Sequence, residues 1–83
     1  MTNKTFTVSA STDSLRRDAT FLIRKANEFP CHVTLGRDGI QVNAKSLLGV
    51  LSMDLSQGDE LNLCADGEQE EACIAALQAL LCV

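Results

Sequence analysis

Tryptophan and tyrosine are absent from this 83-residue sequence, and proline and histidine each occur once. With three phenylalanines as the only aromatics, the core has to be built from Leu, Val, Ile and Ala. One proline rules out a proline-rich linker, and no low-complexity segment or repeat divides the chain. No uninterrupted apolar run approaches the roughly 18 residues of a membrane span. The opening MTNKTFTVSAS lacks the apolar stretch of a secretory leader. The expectation is a cytoplasmic protein with no membrane partner. Basic residues are scarce too. Seven Lys and Arg against eleven Asp and Glu give a formal charge of −4, and no basic cluster exceeds the pairs Arg16-Arg17 and Arg24-Lys25. Binding to a phosphate backbone needs a basic face, so no direct nucleic-acid role is expected.

The four cysteines, Cys31, Cys64, Cys73 and Cys82, contain no C-x-x-C pair and come without secretory context. The closely spaced ligand pairs of a zinc site are missing as well. Free, mostly buried thiols are expected, with no metal and no cofactor. A composition of 46% hydrophobic and 22% charged residues is that of a folded domain. A chain this short forms one domain, residues 1–83, burying roughly 60–65% of its unfolded surface.

Periodicity supplies the elements. In residues 4–10, Phe6, Val8 and Ala10 alternate with polar neighbours, as in a half-buried strand. Ser11-Thr12-Asp13-Ser14 reads as a loop rich in N-cap residues. Over residues 15–29, Leu15, Ala19, Leu22, Ile23 and Ala26 form one apolar stripe of an amphipathic helix, which Pro30 ends. Cys31, Val33 and Leu35 mark a second strand. Asp38-Gly39 signals a hairpin turn into a third strand with Ile40 and Val42. Residues 47–51 suit a helix of about two turns, and Leu61, Leu63 and Ala65 a fourth strand. Asp66-Gly67 opens a last helix with Glu68, Glu70 and Glu71 at its dipole-favoured start and Ala72, Ala76, Leu77, Leu80 and Leu81 on its apolar face. The order β-α-β-β-α-β-α predicts an α+β fold: an open-faced sandwich with a four-stranded antiparallel sheet covered on one face by three helices.

That order, together with VNAKSLLGVLSMDLSQGDELNL over residues 42–63 and the acidic opening of the last helix, resembles the histidine-containing phosphocarrier (HPr) family of the bacterial sugar phosphotransferase system. The family's other signature is G-L-H-x-R-P-A at the start of the first helix. Here Ser14-Leu15-Arg16-Arg17-Asp18-Ala19 stands in its place. Arg17 and Ala19 match, Leu15 occupies the position of the phosphohistidine, and Asp18 replaces the proline. Leucine has no nucleophilic nitrogen, and Asp18 sets a negative charge where a phosphoryl group would dock. The only histidine, His32, falls on the polar side of a strand. No catalytic residue is assigned, and the chain is not expected to be an enzyme.

Three features remain that the resemblance makes functional. Ser46 precedes an apolar helical run and is expected to cap it. The matching serine of the family is phosphorylated by an ATP-dependent HPr kinase/phosphorylase. At 100° per residue, Arg17, Phe21 and Arg24 fall away from the core stripe. They read either as a partner site or as a lone exposed Phe among surface charges. Leu47, Leu48 and Leu51 either pack tightly in the core or stay exposed beside Ser46, where the family docks its partners.

The combination resembles the catabolite-repression HPr-like proteins within the family, which keep the serine and lack the histidine. That likeness implies a regulatory protein with HPr kinase/phosphorylase, a LacI-type catabolite control transcription factor or phosphotransferase components as partners. Two alternatives stay open: a phosphotransferase component using another residue, or a degenerate domain with a structural role that self-associates as a homodimer.

Overall fold

Val33, Leu35, Leu61, Leu63 and Ala65 are each at most 1% exposed, and they occupy alternate positions of the two strands at the centre of the sheet. A computed structural model describes residues 1–82. Four strands, β1 (Thr2–Thr7), β2 (His32–Arg37), β3 (Ile40–Asn43) and β4 (Glu60–Asp66), lie in the order β1-β4-β2-β3. Every pairing is antiparallel. Asp38 (φ 52°) and Gly39 (φ 81°) supply the two left-handed residues of a tight hairpin that sets Arg37 opposite Ile40. Side chains alternate between faces. The inward set forms one core with the helices, while the Asn62 amide donates to Asn3 Oδ1 and Thr5 Oγ1 on the open face.

The expected α+β layering holds, with four differences. The first strand ends at Thr7 rather than extending to residue 10. The Val8 N–H turns to the Asp59 carbonyl (2.8 Å) and that of Ala10 to the Leu81 carbonyl (3.0 Å), so both side chains stay inward while the ladder stops.

The first helix is two segments, α1 (Thr12–Arg17) and α2 (Ala19–Asn27). It begins at Thr12, earlier than expected, because Ser11 is the cap, its Oγ accepting from the Ser14 N–H at 3.1 Å. Asp18 (φ −101°, ψ 14°) separates the segments. Hydrogen bonds still run from the Asp18 N–H to the Ser14 carbonyl and from the Leu22 N–H to the Asp18 carbonyl. The interruption is thus one residue long. A short carboxylate that takes the Ser14 hydroxyl (3.2 Å) is suited to such a local departure from helix. The second segment stops at Asn27 rather than residue 29, since the residue before Pro30 is held out of the helical region.

Helix α3 (Leu47–Met53) runs past residue 51 to a left-handed exit at Asp54 (φ 49°). Helix α4 (Glu70–Leu81) starts after Glu68. It buries Cys73, Ile74, Leu77 and Leu81; Ala72 is exposed, and Ala76 and Leu80 are half-buried. The buried face is therefore rotated toward Cys73, which meets the Cys31 thiol across the core. All four cysteines are free, Cys31 and Cys73 buried, Cys64 and Cys82 half-buried. Among the described residues no helix is long and apolar enough to cross a membrane.

Candidate functional site

Ser46 occupies the N-cap of α3 with extended backbone (φ −103°, ψ 119°). Its Oγ accepts from the Gly49 N–H at 3.3 Å, filling one of the vacant positions at a helix start. The approach to it is braced from both sides. The Lys45 ammonium donates to the Phe29 carbonyl (2.7 Å), and the Asn27 amide donates to the carbonyls of Ile23 (2.9 Å) and Lys45 (3.5 Å). The end of α2 is thereby tied to the residue before the cap. Asn27 had no signal in the sequence, because its role depends on a partner 18 residues away.

The far end of α3 is held by Arg37, from the last position of β2. Its guanidinium donates to the Met53 carbonyl (2.5 Å), the Asp54 carbonyl (3.4 Å) and Asp59 Oδ2 (2.7 Å). The same Asp59 oxygen accepts from the Ser56 N–H at 2.9 Å. The last carbonyls of a helix need such donors. Residues 54–59 are fastened to the sheet by the same group. This clamp, too, was invisible in the sequence.

Between these anchors α3 turns Val50 and Met53 into the core and leaves Leu47, Leu48 and Leu51 outside, at 45%, 81% and 52% exposure. The exposed reading of these leucines is the one found. Phe21 is 54% exposed, and Arg17 and Arg24 are exposed with it. Leu15 is half-buried and packs against the core. It stands at the seam of two clefts that share Leu15, Val50 and Leu55. One cleft, of about 330 Å³, runs between the first helical segments and α3 and includes Ala19, Leu51 and Asp54; the other reaches Phe21 and the end of α4. The structure thus brings Leu15 together with Leu51 on one side and with Phe21 on the other. Arg17, Arg24, Leu47 and Leu48 line neither cleft. Leu55 and Leu80, absent from the expected site, do.

His32 lies elsewhere. It is exposed at the start of β2, opposite Asp66 of β4, on the sheet face that Val33 and Leu35 turn away from. The strongest electrostatic shifts are also outside this surface. Burial, with the Cys31 thiol adding to it, pushes Cys73 up to about 12, so it remains a thiol. The Thr2 hydroxyl, with the Met1 ammonium, holds Glu70 down to about 2.

Residues 2–82 match the family described as "PTS HPr component phosphorylation site". HPr-like protein Crh of Bacillus subtilis (strain 168) is 41% identical over 63 residues, covering 76% of this chain and 74% of that protein. Phosphocarrier protein HPr of Treponema pallidum (strain Nichols) is 39% identical over 64 residues, 77% of this chain and 73% of that protein. The crystal structure of an HPr from Thermoanaerobacter tengcongensis superposes with a TM-score of 0.90 at 34% identity, covering 98% of this chain and 91% of that one. The crystal structure of Bacillus subtilis Crh, described as a swapped dimer, superposes with a TM-score of 0.73 at 34% identity, over 92% of this chain and 83% of that one.

Proposed function

The chain belongs to the HPr family, and from that premise we propose that it is a regulatory, partner-binding protein of the sugar phosphotransferase system rather than a histidine phosphocarrier. The observation that carries this reading is the leucine at position 15, half-buried against the core where the family signature has its histidine. Phosphoryl transfer needs a nucleophilic nitrogen there, and the sole histidine stands on the open face of the sheet. Ser46 and the helical surface remain as working parts. The capping hydroxyl of Ser46 is the proposed phosphorylation site for an HPr kinase/phosphorylase. A phosphate there brings about −1.5 to −2 charges beside Leu47, Leu48 and Leu51. With Arg17, Phe21 and Arg24 these leucines form the proposed face for a cytoplasmic partner, a LacI-type catabolite control factor or a phosphotransferase component.

Incubation with HPr kinase and ATP tests this by intact mass. One phosphate is expected on the natural protein and none on Ser46→Ala; phosphate that survives the substitution sinks the proposal. In parallel, phosphoenolpyruvate and the general phosphotransferase kinase should leave no acid-labile phosphate. An adduct on His32 would favour the carrier reading instead.

A second reading is self-association, supported by the exposed leucines and by relatives whose structures are described as dimers, Bacillus subtilis Crh and HPr from Thermoanaerobacter tengcongensis. Sedimentation separates the two: a stable dimer that dissociates on Leu48→Glu supports an oligomerising role for α3.

A further inference from the structure

The cleft between the first helical segments and the end of α4 has a volume of about 410 Å³, within the range of small-molecule sites. Its wall is aliphatic: Leu15, Leu22, Val50, Leu55, Leu80 and Leu81. Among the described residues the only polar side chains lining it are Ser14 and Asp18, and the only aromatic is Phe21. Asp18 and Phe21 are exposed while Leu22, Val50, Leu55 and Leu81 are buried, so the carboxylate and the ring stand at the mouth and the aliphatic groups at the floor.

The Asp18 carboxylate sets the charge at that mouth. The Asp18 carboxylate accepts the Ser14 hydroxyl at 3.2 Å, and among the described residues no ion pair reaches it. The C-terminal turn of α4, which supplies Leu80 and Leu81, adds no basic side chain, and its Leu81 carbonyl is taken up by the Ser9 and Ala10 N–H groups at 3.0 Å each. Arg17, though close in sequence, does not line the cleft.

We propose that this cleft is a binding site for a small amphiphilic cation, an alkylammonium compound. Its chain would lie on the aliphatic floor and its charged head against Asp18 and the face of Phe21. A carboxylate attracts the cation directly, and an aromatic face adds to that attraction. An anionic head on the same chain would meet that carboxylate with the wrong sign. The site is separate from Ser46 and needs no phosphorylation.

A methyl-resolved NMR titration of the full chain tests this with three probes: octyltrimethylammonium below its micellar concentration, octyl sulfate, and tetramethylammonium. Saturable shifts of the Leu15, Val50, Leu55 and Leu80 methyls are expected with octyltrimethylammonium. Binding should be about tenfold weaker with octyl sulfate, the size of one charge-assisted contact, and weaker still with the head group alone. Asp18→Asn, an exposed and nearly isosteric change, should bring the two octyl compounds to within about twofold. Equal affinity of the two octyl compounds for the natural protein overturns the proposal, as does an Asp18→Asn variant that still discriminates. So do shifts centred on Leu48 instead of the cleft, or no saturable shift at all.

Discussion

Arg37 carries more of this structure than its place at the end of a strand suggests. Its guanidinium serves two helix-end carbonyls and a carboxylate, and both partners of the ion pair with Asp59 are about three-quarters buried. Removing it takes a donor from the Met53 carbonyl and leaves a largely buried Asp59 with the Ser56 N–H but no counter-charge. Arg37→Ala is expected to cost about 1–3 kcal/mol, read from urea unfolding. Far-UV circular dichroism is the signal of choice, because the chain has no tryptophan or tyrosine. A midpoint unchanged from the natural protein would show that the clamp contributes nothing. Cys73 makes a different prediction. Its folded pKa of about 12 lies above the ordinary 9.0, so the folded state holds a proton that the unfolded chain releases. Stability is unaffected below pH 9 and falls as pH rises from 9 toward 12; Cys73→Ala should flatten that alkaline limb. At neutral pH, a thiol-specific reagent should label Cys73 and Cys31 only as fast as the protein opens.

At the scale of elements, what the sequence disclosed follows from how local each cause is. The strands at His32–Arg37 and Glu60–Asp66 were legible because alternation is a property of neighbouring residues, and the hairpin because Asp38-Gly39 fits left-handed backbone. The N-cap of α3 was legible for the same reason. The break at Asp18 was not, since an apolar stripe continues through it from Leu15 to Ala26. The face of α4 was misplaced because the inward side is chosen by Cys31, 42 positions before Cys73 in the chain. The exposed leucines could be anticipated only as one of two readings, since Val50 and Met53 are the residues that α3 turns into the core.

Two predictions belong at this scale. Ser46→Ala removes a cap and should lower stability by about 1 kcal/mol, seen as a shift of the urea midpoint with an unchanged slope. Glu70 joins the start of α4 to β1: its carboxylate takes the Thr2 hydroxyl (2.5 Å) and the Gly67 N–H (3.3 Å). Because its folded pKa is depressed from 4.5 to about 2, its contribution is complete above pH 4.5. It is lost as pH falls from there toward 2. The natural protein and Glu70→Gln should therefore converge in stability across that acid window; parallel acid profiles would refute the tie.

Across the whole molecule, the weight rests on β4. It is the one strand paired on both sides along most of its length, with β1 and with β2, and its Leu61, Leu63 and Ala65 face the helices without solvent contact worth counting. Leu63→Ala is expected to cost about 2–5 kcal/mol, a large part of the 5–15 kcal/mol typical of a folded domain. Thermal melting by circular dichroism checks it, each kcal/mol lowering Tm by about 4–8 °C at this size. By contrast, Leu48→Ala should leave Tm within about 4 °C, since exposed substitutions usually change stability by under about 0.5 kcal/mol.

That contrast bears on how such a protein diversifies. Helix α3 is too short to persist alone, and among the described residues its attachments lie behind it or at its ends: Lys45 and Asn27 before it, Val50 and Met53 beneath it, Arg37 after it. None of them involves Leu47, Leu48 or Leu51. On the proposed reading of α3 as a partner face, substitutions at those three positions would change what the helix meets and leave the residues that keep it in place untouched. On that reading the surface could be altered without rebuilding the fold that presents it.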